Sequence, residues 1–125
     1  MEKETFGSFL RKKRLEAGYG LRAFAMAIEM QPSNLSNIER GKIPPPQDRE
    51  RLEHIARALD IEENSDDWAR LFDLAVAHKE GAVPADIAEY TAKTEGVPVL
   101  LRTVKNRQLS KDEFKQLTDY IQKHF

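Results

Sequence analysis

Tyr19-Gly20-Leu21-Arg22-Ala23-Phe24-Ala25-Met26-Ala27-Ile28-Glu29-Met30-Gln31-Pro32-Ser33-Asn34-Leu35-Ser36-Asn37-Ile38-Glu39-Arg40-Gly41 is the stretch that decides how this chain folds. Phe24, Ala25 and Ile28 recur at the spacing of one helical face, which predicts a helix over Leu21 to Glu29. A second, shorter helix begins at Pro32, where a fixed φ and a missing N–H do no harm. Leu35 and Ile38 supply its inward face and Gly41 ends it. Almost no chain lies between the two, so they must meet across a tight turn.

Outward from this pair the helical period persists, and no alternating strand pattern interrupts it. A preceding helix runs from Thr5, its N-cap, to Ala17, with Phe6, Phe9, Leu10 and Leu15 expected to face inward and Gly18 as its stop. Pro44-Pro45-Pro46 is a stiff extended connector, after which Leu52, Ile55, Ala56 and Leu59 define a fourth helix. Ser65 caps a fifth, with Asp66 and Asp67 in its first turn, Trp68, Leu71, Phe72 and Ala75 on its inner face, and Gly81 as its end. Further on, Pro84 to about Thr94 and the segment from Val97 carrying Val99, Leu100, Leu101 and Val104 read as two more helices. Ser110-Lys111-Asp112-Glu113 is a capping box that opens the last, whose stripe is Phe114, Leu117, Ile121 and Phe125. The fold class expected is all-α.

Composition narrows the function classes. The chain has 125 residues, 40% hydrophobic and 33% charged, within the globular range. No run approaches the roughly 18 apolar residues that span a bilayer, and Met1-Glu2-Lys3-Glu4 does not begin a secretory signal. There is no cysteine, which removes disulfides, thiolate metal sites and a cysteine nucleophile, and which suits a reducing cytoplasm. Net charge is −1, but residues 1–60 hold 11 Lys and Arg against 9 Asp and Glu, and residues 61–125 hold 9 against 12. A basic-leaning first half and an acidic-leaning second half suggest two regions with different partners.

The outer face of the helix from Pro32 is left to Pro32, Ser33, Asn34, Ser36 and Asn37. A helix fits the DNA major groove, and small polar side chains there can both donate to and accept from base edges. At this point the chain resembles the Cro and lambda-repressor (XRE) family of helix-turn-helix regulators. The marks are Phe6 to Gly18 as helix one, Phe24-Ala25 for the family's Leu-Ala pair, Leu35-Ser36-Asn37-Ile38 for its Ile-Ser-x-Ile, Glu39-Arg40-Gly41 followed by Lys42, and Ile55-Ala56-Arg57-Ala58-Leu59 as helix four.

The resemblance implies a five-helix lambda-repressor-like DNA-binding domain with a C-terminal helical extension, divided as residues 1–80 and 81–125. Base-reading positions fall on Pro32, Ser33 and Asn37, with Asn34 beside them and Gln31 at a cap that touches phosphate. Asn37 would most naturally read adenine, and Arg40 and Lys42 would lie along the phosphate backbone. Arg14 and Glu39 match an ion pair that ties helix one to helix three. Three departures bear on geometry: Leu21 stands for a phosphate-binding Gln, Gly20 for a Ser or Thr cap, and Glu29 for a turn Gly.

Enzyme chemistry has little to work with. His54, His78 and His124 are scattered, no metal-ligand, phosphate-loop or nucleophile-elbow pattern is present, and neither a catalytic residue nor a cofactor or metal is expected. Asp66-Asp67 reads as a charged helix start rather than an acid pair, and Trp68 as core rather than a stacking platform. The second half reads as acidic and Leu-rich, and it is expected to make a homodimer through Leu100, Leu101, Phe114, Leu117 and Ile121, because a lone domain makes too few contacts for strong operator binding. The alternative is an antitoxin, whose acidic C-terminal region (Glu89, Glu95, Asp112, Glu113 and Asp119) holds a toxin or peptidase partner.

Overall fold

The computed structural model describes residues 3–77, 79 and 81–125. The Met1-Glu2 start, His78 and Glu80, the last residue of the expected first domain, lie outside the described residues. The described residues form α1 (Phe6–Glu16), α2 (Leu21–Ala27), α3 (Pro32–Glu39), α4 (Arg49–Ala58), α5 (Asp66–Val76), α6 (Ala85–Lys93), α7 (Val97–Arg107) and α8 (Lys111–His124), with no strand among them. The fold is all-α, as the helical period requires. Its contacts divide it into Met1–Ala88 and Glu89–Phe125, a division inside α6, where the family resemblance implied a boundary after residue 80.

Capping side chains start the helices. Thr5 accepts from the Ser8 backbone N–H at 3.1 Å while the Thr5 N–H donates to the Ser8 hydroxyl at 2.9 Å, a reciprocal box closed by serine in place of glutamate. Ser65 accepts from Trp68 N–H at 3.1 Å, and Ser110 and Glu113 form the capping box their spacing predicts. The α1, α2, α3 and α4 ends share one closure, in which a left-handed residue just past the cap lets two successive N–H groups return to the last turn. Gly18 and Gly41 take that role after α1 and α3, and Asp60 after α4. After α2 the residue is Glu29, at φ 54°, so α2 stops at Ala27 rather than Glu29. The turn keeps its shape without the glycine, at a backbone cost of about 1–2 kcal/mol.

In the first unit α1 packs on α3 and α5, α2 on α3, and α4 on α5. The shared core centres on Leu10, Phe24, Ile28, Leu35, Leu52, Ile55, Leu71 and Phe72, each under 2% exposed. Burial of each such side chain is worth about 1.5–3 kcal/mol before entropy is counted. Trp68 joins this core, its ring 5.0 Å from that of Phe72. Two expectations fail here. Leu15 is 52% exposed, because α1 spends its inner face on Phe6, Phe9, Leu10 and Arg14. The fifth helix ends at Val76, well short of Gly81.

In the second unit the helices are as regular, yet no residue of α7 or α8 is buried. Leu100, Leu101, Phe114 and Ile121 are exposed, Leu117 is half-buried, and Phe125 is 95% exposed.

Candidate nucleic-acid interface

The outward face of α3 exists because its inward face is firmly held. Leu35 is fully buried and Ile38 nearly so, while Ser33 and Asn34 are exposed and Pro32, Ser36 and Asn37 half-buried. Gln31 is exposed at the N-cap with φ −66° and ψ 135°, and its side chain makes no capping bond, so its amide is available. At the other end Gly41, at φ 75°, lets its own N–H reach the Ile38 carbonyl at 3.1 Å and the Lys42 N–H reach that of Asn37 at 2.8 Å. This closure delivers Arg40 and Lys42, both exposed, to the rim of the helix.

Arg14 and Glu39 meet across α1 and α3. Arg14 Nε donates to Glu39 Oε2 at 2.7 Å and Nη2 to Oε1 at 2.9 Å, with the two side chains 8% and 5% exposed. Arg14 Nη1 also donates to the Tyr19 carbonyl at 3.0 Å, so one guanidinium joins α1, α3 and the approach to α2. The bond to Glu39 outweighs the desolvation of Arg14 and holds its pKa above the ordinary arginine value. Two charges this dry are tolerated because the fork geometry satisfies both, and among the described residues no buried side-chain N or O lacks a partner.

Several contacts that set this geometry have no signal in the helical period. Gly7 sits on the inner face of α1 against the end of α3. A Cβ there would lie 2.4 Å from the Ile38 carbonyl oxygen and 2.5 Å from that of Glu39, so only glycine permits this approach. Arg51 of α4 donates to the Glu29 carbonyl at 3.3 Å, bracing the turn between α2 and α3. Gln47 donates to the Ala75 carbonyl at 2.7 Å, tying the proline connector to the end of α5. On α2, Arg22 is exposed and Met26 is 82% exposed, and both border a shallow hollow with Met30 and Pro32 beside the start of α3.

Among the described residues no group of three or more His, Cys, Asp or Glu side chains is placed to hold a metal ion. No described helix is long and apolar enough to cross a membrane. The acidity expected of the C-terminal extension lies upstream of it. Glu89–Phe125 holds seven Lys and Arg against five Asp and Glu. Two of those five carboxylates are engaged locally, Glu89 by Lys93 at 2.9 Å and Glu113 by the Ser110 backbone N–H at 3.0 Å, which holds the Glu113 carboxyl below its ordinary pKa.

Two short helices at a tight turn, the second braced from behind and polar in front, define a helix-turn-helix DNA-binding regulator. Residues 5–68, just over half of the chain, match the model of the helix-turn-helix domain family, and the chain belongs to that family. No curated protein and no solved structure matches the chain.

Proposed function

We propose that this chain is a repressor of the Cro and lambda-repressor (XRE) type that acts in the cytoplasm and binds, as a homodimer, a double-stranded operator of roughly two-fold symmetry in its own operon. The observation that carries the reading is the bracing of α3. A helix that only filled space would not need Arg14, Glu39 and Gly7 to fix its position behind an outer face of Pro32, Ser33, Asn34 and Asn37. In this reading residues 1–80 bind DNA, Ser33, Asn34 and Asn37 meet base edges with apolar help from Pro32, and Gln31 and Lys42 meet phosphate. Residues 81–125 hold two protomers together through the open face of Leu100, Leu101, Phe114, Leu117 and Ile121.

A second reading draws on that same open face: an antitoxin that covers a toxin or peptidase with residues 81–125 would also leave it bare in the isolated chain. Light scattering on the purified chain separates the two. A dimer supports the repressor, and a monomer that dimerises with no copy of itself supports the antitoxin.

The DNA assignment is tested by titrating the full chain against a duplex selected from a random pool and against a scrambled duplex, over a range of salt. The selected duplex is expected to bind more tightly. Lys42→Ala should weaken both and flatten the dependence of log K on log salt by about one unit. Failure of the wild type to bind either duplex at low salt overturns the reading.

A further inference from the structure

Arg40 ends α3 as its C-cap, and its side chain turns back on the helix. Its Nη2 lies 3.1 Å from Asn37 Oδ1. A guanidinium carries donors only, so the amide atom that meets it is the oxygen and Nδ2 is left facing away. The Asn37 backbone is fixed in turn by the Lys42 N–H on its carbonyl at 2.8 Å, and Arg40 itself is exposed, with its other N–H groups open. A lone asparagine offers a base one donor and one acceptor, the pattern that complements adenine's N7 and N6 amino group. Paired with Arg40 it does so less well: Oδ1 keeps a second lone pair, but an adenine amino group approaching it meets the positive charge of the guanidinium already bound there.

We propose that Asn37 and Arg40 act as one donor-rich, positively charged reading unit whose target is guanine, through its N7 and O6 acceptors in the major groove. The unit rests on the assignment of α3 as the reading helix. Cytosine presents only a donor at this edge, and thymine a single acceptor beside a methyl group, so neither offers the two acceptors that a donor-rich cationic pair prefers. Arg40 is thereby a specificity determinant rather than a phosphate contact. It sets which base Asn37 accepts by holding a cation against the amide's acceptor.

The experiment uses the full chain and a pool of duplexes randomised over the site. Sequences are selected with wild type, Asn37→Ala, Arg40→Met and Arg40→Gln, and affinities are then measured on four duplexes that differ only at the base pair whose preference Asn37→Ala flattens. Wild type should prefer guanine there over adenine by about tenfold. Arg40→Met frees Oδ1 and should move the preference to adenine, while Arg40→Gln, which can still donate to Oδ1, should retain part of the guanine preference. A wild-type preference for adenine, or a guanine preference unmoved by Arg40→Met, overturns the proposal and leaves α3 as the reader. Uniform weakening of Arg40→Met on all four duplexes overturns it too, making Arg40 a phosphate contact. If no base pair responds to Asn37→Ala, the assignment of α3 fails and the unit with it.

Discussion

The units Met1–Ala88 and Glu89–Phe125 are made of the same material to different ends. Helix α5 and helix α8 both begin at a serine cap with acidic residues in the first turn, and both carry a continuous apolar stripe. In α5 that stripe is Trp68, Leu71, Phe72 and Ala75, all buried, and in α8 it is Phe114, Leu117 and Ile121, none buried. A stripe therefore specifies that a helix has a face and says nothing of what covers it. In the first unit the cover is the rest of the same unit, and the result is a rigid frame for α3. In the second, the proposed cover is another copy of the chain.

If the first unit is a frame, breaking its brace should do far more than any change in the second. Arg14→Met leaves the Glu39 carboxylate buried without its partner and the Tyr19 carbonyl without its donor. The expected loss of stability is about 3–5 kcal/mol, read by urea denaturation. The double variant Arg14→Met, Glu39→Leu should recover most of it, since no buried charge remains to be compensated. A single variant as stable as wild type would mean that Glu39 reaches water easily and that the pair braces nothing.

Gly7→Ala comes next. The added methyl meets backbone at Ile38 and Glu39 rather than a side chain that could swing aside, so α1 and α3 must separate. Overpacking of this kind costs about 1–3 kcal/mol. Because the displaced element is the reading helix, operator affinity should fall even at temperatures where the variant stays folded, and circular dichroism beside DNA titration checks both. Loss of stability with unchanged affinity would show that the crossing supports the core alone.

The parts of this fold legible in the sequence are those governed by local rules. Helix period, Pro32 at the start of α3, Gly41 at its end and the Ser65 and Ser110 caps all follow from chemistry within a few residues. Leu15 failed because a helix face has a finite width, and here the buried share went to an arginine that apolar counting leaves out. The end of α2 failed because Glu29 does a glycine's work, which its identity does not announce. At the candidate interface, the Arg14–Glu39 match came from family resemblance and not from spacing. Gly7, Arg51 and the Arg40–Asn37 bond were out of reach: the first two depend on where α3 and α4 lie relative to distant chain, and the third on a rotamer.

The smallest effect on stability is expected where the second unit is altered. Ile121→Glu in α8 and Leu101→Glu in α7 place charge on apolar faces at positions that are already exposed, so neither variant removes a buried contact from the chain. Substitutions of exposed residues stay within about 0.5 kcal/mol, and the thermal transition of the first unit should be unmoved. The mass is a different matter, because a dimer joined through those faces would have to bury the new carboxylates, and light scattering should then report a monomer. Operator affinity should fall with it, since two half-sites are no longer engaged together. Should both variants remain dimeric and bind as wild type, the apolar faces of α7 and α8 are not where two copies meet, and the difference between the two units would call for another partner.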